Sequence, residues 1–90
     1  MAKLTSEQLA ALEATVPGWS LDGDAIRRTY EFENFIEAMS FVTKVAILSE
    51  KANHHPDIDI RWNQVTLVLT SHDAGGLTEK DVDLASKIDC

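Results

Sequence analysis

The three histidines of this 90-residue chain all fall between positions 54 and 72, as His54, His55 and His72. An unperturbed imidazole titrates near pH 6.5, so it can take or give a proton in neutral water. Glu50 stands one helical turn before His54, a spacing that predicts a carboxylate and an imidazole on one helix face. Such a cluster suits general acid–base work, in which one group removes a proton while another protonates a leaving group. Each such transfer is worth typically ~10²–10⁴-fold in rate. The same residue types also bind zinc or iron. Adjacent histidines point apart, however, and there is no His-x-x-x-His pair and only one cysteine, Cys90, so the spacing favours metal-free chemistry with no cofactor.

These residues must be carried by local elements that the pattern also predicts. Thr5 and Gln8 have capping-box spacing ahead of Leu9, Leu12 and Val16, and Pro17-Gly18 ends that helix. Trp19 to Leu21, a turn at Asp22-Gly23, and Ile26 to Phe32 read as a hairpin, with Trp19 and Leu21 on the face shared by Tyr30 and Phe32. Asn34 and Glu37 repeat the capping spacing and open a long helix, 34–53, which Pro56 stops. Its apolar residues, from Phe35 to Leu48, cover more than one core-facing stripe, which predicts a central or interface helix. Ile58, Ile60 and Trp62 alternate with polar neighbours, and so do Val65, Leu67 and Leu69, giving a second hairpin around Asn63-Gln64. By this parity Trp62 packs in the core, with substrate contact as the lesser alternative. His72 lies in a loop, and Thr78 caps a final helix through Val82, Ala85 and Ile88. The expectation is one α+β domain, residues 1–90, in the order α-β-β-α-β-β-α. Its two layers are a four-stranded antiparallel sheet and helices on one face.

The charge of −7, from 15 acids and 8 bases, lacks the positive field that nucleic acid or an anionic membrane requires. There is no apolar run of the roughly 20 residues that span a bilayer. Met1 to Glu7 lack the apolar run of a signal peptide and the lone cysteine cannot form an internal disulfide, so a cytoplasmic setting is expected.

Taken together, Glu50, His54-His55-Pro56, Trp62, His72 and Asp81 resemble the signature of the pterin-4a-carbinolamine dehydratases in residue type and in spacing. The likeness extends through Ala74-Gly75-Gly76-Leu77-Thr78 and back to Trp19. It implies dehydration of the 4a-hydroxytetrahydropterin left by aromatic amino-acid hydroxylases, giving quinonoid dihydropterin and water. It also implies His54 and His72 as the acid–base pair, without saying which is which. His55 then positions substrate, Glu50 orients or charges a histidine, Asn53 and Pro56 border the substrate, and Trp19 walls the flat ring. Pro56 has an equally good reading as a chain-direction device. Asp81, three residues after Thr78, reads as a helix-capping acid, with orienting His72 as its alternative role. The resemblance implies homodimers or homotetramers. The competing reading is a dimerisation module that stabilises a protein partner.

Overall fold

The computed structural model describes residues 2–90. Two short helical pieces, α1 (Ser6–Ala10) and α2 (Leu12–Thr15), precede a hairpin of β1 (Ser20–Asp22) and β2 (Ala25–Glu31). The long helix α3 (Phe35–Ala52), a second hairpin of β3 (Asp57–Arg61) and β4 (Gln64–Leu69), a 3₁₀ turn at His72–Ala74, and α4 (Glu79–Ile88) complete the chain. The four strands form one antiparallel sheet in the order β1-β2-β4-β3. This is the α+β arrangement that the alternation predicts, except that the first helix is broken at Ala11.

The helix caps follow from local chemistry. Thr5 and Gln8 form a reciprocal capping box, Asn34 accepts the backbone N–H of Glu37, and Thr78 and Asp81 form a second box. Ile26 on β2 and Val65, Leu67 and Leu69 on β4 share one face, which packs beneath Ala38, Val45, Leu84, Ala85 and Ile88 of the helices. The other face is polar, with Thr29 and Thr66 hydrogen-bonded across it at 2.8 Å and Arg27 beside Asp22. That face is therefore compatible with exposure to water.

One expectation about packing fails. Trp62 is 69% exposed, not part of the core. It adopts φ +52° in the β3–β4 turn, where the two-residue alternation no longer determines which way a side chain points. On α3 only Ala38, Val45 and Ser49 are buried, whereas Phe35, Ile36, Met39 and Ile47 face outward. The apolar girth of this helix is thus split between a core stripe and an exposed one.

Candidate active site

The end of α3 aims the histidine pair. Asn53 takes the left-handed conformation, φ 51° and ψ 44°, and its N–H bonds back to the last helical turn. Asparagine tolerates this conformation better than most residues. The reversal swings His54 off the helix axis, while its N–H is tied to the Ser49 carbonyl at 3.1 Å. For this reason the predicted Glu50–His54 pair does not form. Glu50 instead bonds His55 Nε2 at 2.6 Å, an exposed contact at the cavity rim.

His54 finds a different carboxylate. Its Nε2 lies 2.5 Å from Asp81 Oδ1, and the Asp81 side chain is fully buried. The second oxygen, Oδ2, accepts the Ser71 hydroxyl at 2.8 Å and the Thr78 N–H at 2.9 Å. Asp81 sits in the first turn of α4, where backbone N–H groups and the helix dipole favour a negative charge. It is therefore the capping acid expected from its spacing, but the imidazole it holds is His54 rather than His72. A carboxylate accepts hydrogen bonds, so in the neutral imidazole Nε2 carries the shared proton and Nδ1 the lone pair.

His54, His55 and His72 line one cavity of about 500 Å³ together with Asn53, Ser71, Asp73 and Lys80. His72 begins the 3₁₀ turn after β4, and among the described residues its ring has no hydrogen-bond partner. The cavity thus combines one imidazole held by a buried acid, one held by an exposed acid, and one free. No group of three His, Cys, Asp or Glu side chains among the described residues is arranged to hold a metal ion.

The comparisons fit this geometry. The family model for pterin 4 alpha carbinolamine dehydratase matches residues 2–90. The chain belongs to the pterin-4a-carbinolamine dehydratase family. Membership makes it an enzyme of the hydro-lyase class. A candidate dehydratase of this family from Thermomicrobium roseum is 56% identical over 88 residues, covering 98% of this chain and 95% of that one. Another from Acidobacterium capsulatum is 52% identical over 89 residues, covering 99% and 97%. Among solved structures, a transcriptional coactivator/pterin dehydratase from Brucella melitensis superposes with a TM-score of 0.90 at 32% identity, covering 97% of this chain and 95% of that one. A pterin dehydratase-like RuBisCO assembly factor of the alpha-carboxysome shares the fold, with a TM-score of 0.69 at 22% identity.

Other sequence-predicted residues of this dehydratase-family chain lie away from the cavity. Trp19 does not wall it: the ring is 2% exposed, stacks edge-on against Tyr30, and donates its indole N–H to Asp89 at 2.8 Å. Pro56 also lies outside the lining and serves to start β3. Asn53 does line the cavity, and its left-handed backbone gives it a structural purpose besides. Ser71 and Lys80 are lining residues that no spacing rule had flagged.

Proposed function

We propose that the chain dehydrates 4a-hydroxytetrahydropterins to quinonoid dihydropterin and water, recycling the pterin of an aromatic amino-acid hydroxylase. The observation carrying this reading is the cavity wall of three imidazoles, with His54 fixed in one tautomer by a buried carboxylate. In the reaction the C4a–O bond breaks, N5 loses its proton, and the electrons of that N–H bond form the C4a=N5 double bond. The leaving oxygen departs as water once it receives a proton. The C4a–O electron pair departs with the water, so one base and one acid suffice and the step involves no net oxidation or reduction.

His54 Nδ1 is the base in this reading. Its other nitrogen already donates to Asp81, so the ring presents a lone pair in a fixed direction, and the carboxylate stabilises the imidazolium that forms. His72, exposed and without a hydrogen-bond partner among the described residues, is the acid that protonates the hydroxyl and regains its proton from solvent. His55, braced by Glu50, holds the pterin at the cavity rim. The test is a dehydration assay with synthetic 4a-hydroxytetrahydropterin on the parent, His54→Ala and His72→Ala proteins. Each variant should lose ~10²–10⁴-fold in kcat, the range for one positioned acid or base. Rates within a few-fold of the parent would refute the assignment.

The outward stripe of α3 supports self-association as well. A chain of this size buries only roughly 60–65% of its unfolded surface. Ile36, Ser40, Thr43 and Ile47 form an uncharged exposed row along α3. Their positions are symmetric about the point between Phe41 and Val42, so an antiparallel copy crossing there would set Ile36 against Ile47 and Ser40 against Thr43. A dimer or tetramer in sedimentation equilibrium is the expected result.

A further inference from the structure

Ser71 connects the two sides of the cavity. It is only 7% exposed and immediately precedes His72. Its backbone N–H and carbonyl both bond Gly76, each at 3.2 Å, closing the loop 71–76 that carries His72. Its hydroxyl donates to Asp81 Oδ2 and lies 2.8 Å from the Thr78 hydroxyl. A serine has one hydroxyl hydrogen. With that hydrogen given to Asp81, the Thr78 hydroxyl must be the donor of the second bond, and the Ser71 rotamer is fixed from both sides. Asp81 in turn holds His54 through its other oxygen. One hydroxyl thus lies on the shortest bonded route between the ring of His54 and the loop of His72.

We infer that Ser71 is a positioning residue for the dehydration, holding the Asp81 carboxylate, and with it the His54 ring, in register with the loop that carries His72. The inference rests on the reading of His54 and His72 as the proton-transfer pair. Without the hydroxyl, Asp81 Oδ2 keeps only the Thr78 N–H. The terminal torsion of an aspartate is broad and soft, so the carboxylate then rotates and the imidazole follows it. Misplacing a catalytic group by about 1 Å can cost on the order of 10²-fold in rate.

Ser71 also lines the cavity, so the test must separate positioning from contact with substrate. We would measure kcat and KM for synthetic 4a-hydroxytetrahydropterin on the parent, Ser71→Ala, Ser71→Cys and Ser71→Thr. The Nε2 proton of His54 would be followed by NMR in the substrate-free proteins. The expected result for Ser71→Ala is a kcat lower by ~10–100-fold with KM within about threefold, and a His54 proton shifted or lost to exchange. Ser71→Thr, which restores the hydroxyl on an extended backbone, should recover most of the rate and the proton signal. Ser71→Cys, nearly the same size with a weaker donor, should fall between, and it carries the test if the alanine variant does not fold. A raised KM at unchanged kcat would instead make Ser71 a substrate contact and overturn the inference. So would an active parent whose Ser71→Ala rate and His54 signal are both unchanged. An inactive parent would overturn the proposed function and this inference together, whereas those other two results leave the proposed function standing.

Discussion

Replacing Asp81 by Asn tests the site most directly, because the substitution keeps the shape and changes only what the side chain can accept. Asp81 is fully buried and accepts from three donors: His54 Nε2, the Ser71 hydroxyl and the Thr78 N–H. In Asp81→Asn the amide oxygen can still take Ser71 and the Thr78 N–H, which preserves the helix cap. The amide nitrogen then faces His54 and carries hydrogens, so His54 Nε2 must become the acceptor. The ring proton moves to Nδ1, and the nitrogen meant to receive a proton from the substrate already holds one. The stability cost is bounded by the bonds involved. Hydrogen bonds to a charged group are worth about 1.5–3 kcal/mol and neutral ones about 0.5–1.5, so three downgraded bonds cost roughly 3 kcal/mol. Removing a charge from the interior recovers part of this. A net loss of about 1–3 kcal/mol lowers Tm by roughly 5–20 °C in a domain this small. The loss in kcat is expected to be much larger in proportion, ~10²–10⁴-fold, as when a carboxylate that fixes a catalytic tautomer becomes an amide. The assay is the dehydration rate at a temperature where circular dichroism shows the variant folded. A folded Asp81→Asn protein within tenfold of the parent would refute the tautomer argument.

Asp89 provides the control at the opposite end of α4. It accepts the buried Trp19 indole at 2.8 Å, Arg28 at 3.0 Å, and the Tyr30 hydroxyl. Asp89→Ala leaves these donors without their acceptor, so it should cost about 2–4 kcal/mol. The thermal midpoint should fall while kcat per folded molecule stays unchanged, since the cavity lies at the first turn of the helix. Tyr30 predicts an alkaline effect: burial first, and then the hydrogen bond to Asp89, push its pKa well above the usual 10.0, with Arg28 opposing. The folded chain then binds the phenol proton more tightly than the unfolded chain, so stability holds below about pH 10 and declines as pH rises above it. Urea midpoints between about pH 8 and 11 should show that decline in the parent and a shallower one in Tyr30→Phe. An identical slope in both would count against the assignment.

The features legible in the sequence are those in which partners lie close along the chain. The Thr5–Gln8 and Thr78–Asp81 boxes join residues three apart, so residue type and spacing suffice to specify them. The alternation of Val65, Leu67 and Leu69 likewise marks a core face on the central strand β4, whereas the same pattern at Ile58 and Ile60 falls on the edge strand β3 and leaves them exposed. Glu50 and His54 were also close enough to pair, but the left-handed residue Asn53 redirected His54 and left Glu50 to pair with His55. Trp62 shows the same limit, since strand parity ends where the turn begins. The His54–Asp81 and Trp19–Asp89 contacts span 27 and 70 residues and depend on how α4 packs, which no local pattern encodes. Ser71 had no signal at all: a lone serine after a strand looks like any loop residue until Asp81 and Thr78 are folded against it.

Asp81 also shows how so small a domain builds a rigid site. Its Oδ2 closes the capping box with the Thr78 N–H, and its Oδ1 holds the His54 ring. Helix formation and imidazole orientation therefore draw on a single side chain, which is an economical arrangement in a chain with little core to spare. The arrangement also links the two energetically. The first turn of α4 cannot fray without loosening the cap, and a loosened cap frees the carboxylate that directs His54. Helix ends open locally at lower free energy than the core. The acid–base geometry should thus fail when that one turn opens, before the sheet and the rest of α4 unfold. The Ser71 and Thr78 hydroxyls, both buried beside Asp81, oppose that opening.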